Sequence, residues 1–208
     1  MFKTAVLLFT THYNCGLWNS ASWENIGYTP KCIDFDGQSR LLQKYCRHKP
    51  LYRIQYADIA RLLILYENGG WYVDSDTLPT PRCQKLRIMP NTTFGLESDF
   101  PTLQQANQMG MLQKSIAMWA FYGVKNDSRL LRMACKLAGL STRPRESSES
   151  FGQYIHHTSG PTMYAKLWNY STLPVSVFGC GQQHSNAPPC NAPSCWGCHQ
   201  FKNTWLHS

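Results

Sequence analysis

Apolar positions recur in two spacings along the chain, and these spacings predict strands that alternate with helices. The apolar run at 5–9 predicts a buried first strand. Four more short runs predict strands at 31–36, 71–73, 92–98 and 174–178, and helical spacing predicts helices over 39–46, 56–68, 113–123 and 128–139. Such alternation is typical of an α/β domain built in layers on one central sheet. At 208 residues the chain fits a single domain, 1–208, with a sizeable core.

The most informative segment runs from Tyr56 to Thr77. Its helical part places apolar residues at i, i+3, i+4 and i+7, and Asn68-Gly69-Gly70 then predicts the end of the helix. The strand that follows leads into Asp74 and Asp76. If the segment stays extended, both carboxylates lie on the same side, because side chains alternate with period two.

Two adjacent carboxylates repel each other unless a cation lies between them, and oxygen ligands suit Mg²⁺ or Mn²⁺. Asp74 and Asp76 are therefore candidate metal ligands. The alternative is a pair of solvated aspartates at a strand end, and the spacing alone does not separate the two.

A phosphatase of the haloacid dehalogenase type also carries Asp-x-Asp-x-Thr after an apolar strand, with the first Asp as nucleophile. That chemistry needs a later acidic pair to complete its Mg²⁺ site. The acids after Thr77 form no such pair, which disfavours this class: Glu97, Asp99, Asp127, Glu146 and Glu149.

The whole segment "ADIARLLILYENGGWYVDSD" resembles the DXD region of GT-A glycosyltransferases. The likeness is to the group with yeast-type initiating mannosyltransferases and clostridial glucosylating toxins, and more particularly to glycosyltransferase domains of large DNA viruses of algae. The shared pattern is a small residue, Asp, two residues, Arg, an apolar helix, Gly-Gly, an aromatic strand and Asp-x-Asp. The match is partial at "TSGP" (158–161) and at "CHQFKNTW" (198–205), where Thr204 replaces the usual Ser.

This resemblance implies a GT-A, Rossmann-like nucleotide-sugar-binding fold with a mixed central sheet. It implies a retaining transferase that moves a sugar from a nucleotide-sugar donor, UDP before GDP, to a glycan or another hydroxyl acceptor. Asp58 would accept hydrogen bonds from the donor sugar, and Arg61 would reach the sugar and the diphosphate. Asp76 and Asp74 would hold Mn²⁺ or Mg²⁺, which neutralises charge on the leaving diphosphate.

Several of these residues have structural alternatives. Arg61 and Asp58, at i and i+3, also suit an ion pair within the helix, and both roles can hold. Tyr72 is a candidate donor contact, although packing in the core is the stronger interpretation. A double-displacement mechanism would need a carboxylate nucleophile, for which Glu97 and Asp99 are the candidates; a front-face route would use the leaving phosphate instead.

Other candidates lie near the two ends of the chain. Thr10 and Tyr13 follow the first strand, where a base or ribose could bind. By resemblance, His199 would add a metal ligand and Trp205 would contact the diphosphate. The segment 179–205 is rich in Pro, Gly and Cys without periodicity, so we expect a long mobile loop that closes as a lid over the donor.

Charge and cysteines bear on partners and location. The net charge of +8 favours anionic ligands, but no nucleic-acid-binding motif is present. The apolar N-terminal run is too short for a signal peptide or a membrane span, so a cytoplasmic protein with reduced thiols is expected. Three Asn-x-Ser/Thr sequons would then go unused, at Asn91, Asn126 and Asn169.

The nine cysteines leave one alternative of a different class. Cys195-x-x-Cys198, with another Cys and a His, could form a structural zinc site in a non-catalytic nucleotide- or glycan-binding module. A tail tied by disulfides is the other alternative to unpaired thiols.

Overall fold

The computed structural model describes residues 6–80, 82, 83, 88–99, 102, 104, 105, 114–168, 172, 173, 195 and 197–199. The strands are β1 Val6–Thr11, β2 Tyr28–Ile33, β3 Gly70–Val73, β4 Thr77–Pro79, β5 Thr93–Asp99, β6 Lys114–Gly123, β7 Thr172–Leu173 and β8 Gly197–His199. The helices are α1 Ala21–Glu24, α2 Phe35–Tyr45, α3 Arg53–Asn68, α4 Ser128–Leu140, α5 Phe151–Thr158 and α6 Pro161–Leu167. No helix in these ranges has the length and apolar composition needed to cross a bilayer.

Six strands form one mixed sheet in the order β2-β1-β3-β6-β5-β7. β1 pairs in parallel with β2 and β3, β6 runs antiparallel to β3 and β5, and β7 lies parallel to β5. A separate two-stranded sheet pairs β4 with β8. The predicted α/β class with a mixed central sheet is confirmed.

Both faces of the sheet are covered, and the strand side chains divide between two apolar clusters. Phe9 and Tyr72 pack with helices α3 and α4 on one face, where the buried cluster also contains Phe121. Leu8 and Trp71 pack on the other face with Trp23 of α1. This division follows from the period-two alternation of side chains along β1 and β3.

The turn from α3 into β3 explains the two glycines. Gly69 and Gly70 have φ of 68° and 107°, values that side chains other than glycine rarely adopt. A Cβ on Gly70 would lie 2.7 Å from the backbone oxygen of Leu7 in β1. Gly-Gly therefore ends the helix and lets the chain pass close to β1 as it enters the sheet.

The helix predicted over 113–123 is wrong, because this segment is β6. β6 lies between β3 and β5, and its residues 116–122 are all buried. A strand covered on both faces has no polar side, so its apolar run lacks the alternation that would distinguish it from a buried helix. The aromatic residues Trp119, Phe121 and Tyr122 were the available signal for a strand.

The remaining predicted elements differ mainly at their boundaries. Thr10 and Thr11 extend β1, β2 begins at Tyr28, and the helix predicted over 39–46 begins at Phe35. Gly139 lies inside α4, which ends one residue later. Three helices were missed altogether: α1, α5 and α6. The strand predicted at 174–178 lies outside the described residues.

The prediction of reduced thiols is wrong for six cysteines. Cys15 is bonded to Cys32, and Cys46 is bonded to Cys135. Cys195 and Cys198 are also in disulfide bonds. Since a disulfide sulfur is not a thiolate ligand, the zinc site proposed around Cys195 and Cys198 is not supported.

Part of the segment expected to be a long loop is a strand. Residues 197–199 form β8, whose backbone pairs with β4 directly after Asp76. Cys195 is buried, and its backbone oxygen accepts a hydrogen bond from the Thr80 hydroxyl at 2.6 Å. The rest of the predicted lid lies outside the described residues.

Candidate functional site

The candidate site lies where β1 and β3 end. β2 pairs with one side of β1 and β3 with the other, so the order of the strands reverses at β1. Ligands of open α/β sheets bind at the carboxyl ends of strands where the chain order reverses in this way. Asp74 follows β3 directly, and Thr11 is the last residue of β1.

The Asp-x-Asp segment is a tight turn. The backbone N–H of Thr77 donates to the backbone oxygen of Asp74 at 2.9 Å, which places Ser75 and Asp76 at the centre of a four-residue turn. The extended conformation expected for residues 74–76 is therefore wrong, and alternation along a strand gives no reason for the two carboxylates to lie on one side. The turn is held on the sheet because the Asp74 N–H donates to the backbone oxygen of Trp119 at 2.8 Å.

Arg61 connects the helix to this turn from inside the protein. Its guanidinium donates to Asp58 at 2.9 Å and to the backbone oxygen of Met118 at 2.8 Å. It also forms an ion pair with Oδ1 of Asp74 at 3.2 Å. Only 6% of the Arg61 side chain is exposed, against 27% for Asp74. The expected ion pair between Asp58 and Arg61 is present, and Arg61 reaches the Asp-x-Asp turn as well.

Tyr72 links β1 to Asp74. Its ring is fully buried beneath the Arg61 guanidinium, whose carbon lies 4.9 Å from the ring centroid. Its hydroxyl donates to Oδ1 of Asp74 at 2.9 Å and lies 2.8 Å from the hydroxyl of Thr11. Tyr72 is thus a packed core residue, as the stronger interpretation had it, and it also orients Asp74.

Asp58 is held by the loop between α5 and α6 and by α6 itself. Its Oδ2 accepts a hydrogen bond from the Ser159 hydroxyl at 2.7 Å, and its backbone oxygen accepts one from the Tyr164 hydroxyl. One turn earlier on α3, Gln55 donates to the hydroxyl of Thr158 at 2.9 Å. Ser159 was not among the predicted site residues. Its position in "TSGP" was the available signal, but a contact 101 residues away along the chain has no local pattern.

Burial sets the electrostatics of this cluster. Burial raises the pKa of Asp58 to about 6, although Arg61 and Ser159 act in the opposite direction. The pKa of Tyr72 is raised well above its ordinary value, chiefly by burial. For Arg61, burial disfavours the charged form, but Tyr72, Asp74 and Asp58 outweigh it, and its pKa is raised. One permanent cation therefore lies between two aspartates that share it.

The other predicted site residues are more scattered. Thr10 is fully buried, and Tyr13 is 67% exposed with its ring stacked on His12. In the β4–β8 pair the backbone of His199 lies opposite Thr77, next to Asp76. Glu97 and Asp99 are in β5, two strands away from β3 in the sheet. Trp205 lies outside the described residues.

No group of three or more His, Cys, Asp or Glu side chains that could hold a metal is found within the part of the chain that the structure describes. The chemistry of the turn still suits a hard cation, because the Asp-x-Asp turn offers carboxylate oxygens and Asp74 is partly open to solvent. A protein site with two carboxylates leaves ligand positions for water and for phosphate oxygens, as Mg²⁺ sites commonly do.

Comparison with known proteins identifies this segment. Residues 11–94 match the family model described as "Glycosyltransferase sugar-binding region containing DXD motif". The chain contains a DXD glycosyltransferase region. The matched residues run from the end of β1 to the start of β5, and they include Asp58, Arg61 and the Asp74–Thr77 turn. The expected enzyme class, a glycosyltransferase, is thereby confirmed.

No curated protein matches. One similar solved structure is described as a "glycosyltransferase involved in the glycosylation of the major capsid of PBCV-1", with 12% identity, a TM-score of 0.46 and coverage of 85% of each chain. Ser159 lies outside the family match, so the buried support of Asp58 comes from a part of the chain beyond the DXD glycosyltransferase region.

Proposed function

We propose that this protein transfers a sugar from a nucleotide-sugar donor, with UDP as the nucleotide, to a hydroxyl of a glycan acceptor. The observation that carries the proposal is the Asp74–Thr77 turn at the end of β3, together with the buried Arg61 and Tyr72 that converge on Asp74. This arrangement lies inside the segment that matches the glycosyltransferase sugar-binding region.

A divalent cation, Mn²⁺ or Mg²⁺, would be held by Asp74 and Asp76, with His199 as a further candidate ligand. When bound, such a cation neutralises the negative charge of the diphosphate leaving group. Asp74 and Asp76 would fix its position relative to the donor. Arg61 and Tyr72 would keep the Asp74 carboxylate in one orientation, since both contact its Oδ1 atom.

The surroundings of Asp58 only partly suit a side chain that binds the donor sugar. Its carboxylate already accepts hydrogen bonds from Arg61 and Ser159, and the residue is 4% exposed. We therefore assign Asp58 and Arg61 a positioning role in the described conformation. Direct contact with the donor sugar would require these side chains to become more accessible. Thr10, Tyr13 and Trp205 remain candidates for contacts to the nucleotide, and Tyr72 would act through Asp74.

The proposed stereochemistry is retention, with the leaving diphosphate accepting the proton of the acceptor hydroxyl. The double-displacement alternative depends on Glu97 or Asp99, which lie in β5 and not in β3. β5 runs in the same direction as β3, because both are antiparallel to β6, so its carboxyl end reaches the same edge of the sheet. The NMR coupling constant of the new anomeric proton would distinguish retention from inversion.

The proposed function is tested by a thermal-shift panel of UDP, GDP, UMP and UDP-sugars, each with Mn²⁺ or with EDTA. A ligand that binds only the folded state at 100 times its dissociation constant stabilises by about 2.7 kcal/mol. For a chain of this size that corresponds to a rise in Tm of about 5–10 °C. We expect this rise for UDP with Mn²⁺ and a much smaller one with EDTA. Equal Tm values across the whole panel would contradict a nucleotide-sugar site.

A further inference from the structure

We propose that Asn91 and Asn126 accept N-linked glycans when the protein matures in an oxidising compartment that contains the glycosylation machinery. The first observation is the state of the cysteines. Six of the described cysteines are in disulfides, and the Cys46–Cys135 bond joins the residue after α2 to α4 across 89 residues. Disulfides of this kind form and persist in compartments such as the lumen of the endoplasmic reticulum, where sequons are also used. This inference does not depend on the proposed function.

The second observation is the exposure of two sequons. Asn91-Thr92-Thr93 and Asn126-Asp127-Ser128 both fit Asn-x-Ser/Thr, and both asparagines are exposed. Asn91 lies two residues before β5. Asn126 lies in the turn between β6 and α4 and has φ of 62°, a left-handed conformation in which asparagine is enriched. Asn169, in the third sequon, lies outside the described residues.

The folded structure tolerates a glycan at both positions because the side chain that fixes the local backbone belongs to the central residue of each sequon and not to its asparagine. The Thr92 hydroxyl donates to the Asp127 carboxylate and accepts from the N–H of Val124 at 3.0 Å. Asp127 also caps α4 by accepting from the N–H of Arg129 at 3.0 Å. The inward contacts are therefore made by Thr92 and Asp127, and the two asparagines are left at the surface.

Both positions lie at the edge of the sheet opposite to the candidate site. Gly70, the first residue of β3, pairs with Gly123 at the end of β6, whereas Asp74 follows the last residue of β3. Asn126 donates its backbone N–H to the oxygen of Tyr66 near the end of α3, on the same side. Glycans here would not obstruct the Asp-x-Asp turn.

The modification is a group transfer from an oligosaccharide carried on a lipid diphosphate. The side-chain amide nitrogen of asparagine attacks C1 of the first sugar and loses one proton. The N–C1 bond forms, the C1–O bond to the diphosphate breaks, and the lipid diphosphate leaves. The product is a neutral, bulky and solvated group on each asparagine.

The test is expression of the full 208-residue chain in eukaryotic cells behind a cleavable secretion signal. The secreted protein is digested with a peptide N-glycosidase, an amidase that hydrolyses the side-chain amide bond, releases the whole glycan and converts each occupied asparagine to aspartate, and peptides are then analysed by mass spectrometry. We expect conversion at Asn91 and Asn126. Asn91→Gln should remove one glycan from the intact mass, and Ser128→Ala should remove the other without altering the left-handed residue at 126.

Asn25→Gln is the matched control, because Asn25 is exposed but is followed by Ile26-Gly27 and is not a sequon. This variant should keep both glycans. The same secreted protein, alkylated before reduction, should leave Cys15, Cys32, Cys46 and Cys135 unmodified. Secreted protein with no conversion at Asn91 and Asn126, or with these cysteines alkylated, would overturn the proposal.

Discussion

An Asp–Arg pair lies at each of the two ends of the central strands, and the two pairs differ in burial and in the elements that they contact. Asp58 and Arg61 lie beneath the Asp-x-Asp turn, with 6% of each side chain exposed. Asp127 and Arg129 lie at the start of α4 on the opposite edge, and 27% of the Arg129 side chain is exposed. Arg129 donates twice to Oδ2 and once to Oδ1 of Asp127, within two residues of sequence.

The contacts of the two arginines show what each pair does. Arg129 binds Asp127 at the start of its own helix, α4, where Asp127 also caps the backbone. Arg61 instead joins α3, β6 and the turn after β3, through Asp58, Met118 and Asp74. A buried cation shared by several elements adds little to stability if compared with an apolar core, yet its removal leaves uncompensated charge. Such an arrangement is expected where side-chain orientation matters for function.

The largest effect should come from breaking the buried pair. Arg61→Met leaves Asp58 buried without its cation, and we expect a loss of about 3–5 kcal/mol in the free energy of unfolding. Arg129→Met is the matched control, with an expected loss of about 1 kcal/mol or less because its pair is partly solvated. Urea denaturation at pH 7 measures both. Similar losses in the two variants would remove the distinction between the pairs.

The substitution Arg61→Lys separates the charge of Arg61 from the geometry of its guanidinium. Lysine keeps the charge but cannot replace a planar guanidinium that contacts Asp58, Met118 and Asp74 together. Transfer activity should fall strongly while the protein stays folded. Arg129→Lys should leave kcat and KM near the wild-type values. Wild-type kinetics in Arg61→Lys would show that the position of Asp74 does not depend on this side chain.

A smaller effect is expected from Tyr72→Phe, which removes the hydroxyl that contacts Thr11 and Asp74. The free energy of unfolding should fall by about 1 kcal/mol, as for one typical hydrogen bond. Tyr28→Phe is the control, since Tyr28 is also buried and donates to the backbone oxygen of Cys83 at 2.7 Å. Both variants should lose similar stability, but only Tyr72→Phe should lose activity. A loss of activity in both would indicate a general folding defect.

The two aspartates should also differ in how their contributions to the free energy of unfolding depend on pH. The pKa of Asp58 is raised by burial to about 6, so the folded state binds its proton more tightly than the unfolded state. Its contribution to stability therefore falls as pH rises from about 4 to about 6. For Asp127, burial acts to raise the pKa, but hydrogen bonds from Arg129 and Thr92 outweigh it and the pKa is lowered. Its contribution is present above the unfolded pKa and is lost as pH falls through the folded one.

Denaturation curves of Asp58→Asn and Asp127→Asn, each compared with the wild type between pH 3 and 8, check these signs. The wild type should lose stability relative to Asp58→Asn as pH rises through this range. It should gain stability relative to Asp127→Asn. The same slope in both differences would contradict the assigned environments.

The part of the site that sequence predicted is the part with a local pattern. α3 has regular apolar spacing, Gly69-Gly70 fits its end, and Asp74 follows an apolar strand, so these features could be derived directly. The turn at 74–76 could not be derived, because three residues are too few to show whether a strand continues or ends. The contact from Ser159 to Asp58 was also out of reach, since packing alone brings these residues together.

The error at β6 has the same origin. Its two faces pack in the two apolar clusters on opposite sides of the sheet, and a fully apolar segment carries no period. The disulfides were missed for a different reason: pairing depends on Cα separations of 5.6 and 5.0 Å that only the fold creates. Reduced thiols were expected because the apolar N-terminal run is too short for a signal peptide, whereas the fold brings these cysteines into bonding distance.

The central claim is that the Asp-x-Asp turn makes nucleotide binding depend on a divalent cation. Isothermal titration calorimetry of UDP into wild-type protein and Asp76→Asn, each with Mn²⁺ and with EDTA, tests it most directly. Urea denaturation of Asp76→Asn beside the wild type checks that the variant is folded. We predict that the wild type binds UDP at least tenfold more tightly with Mn²⁺ and that Asp76→Asn loses this gain. Unchanged Mn²⁺-dependent affinity in a folded Asp76→Asn protein would contradict the assignment of the site.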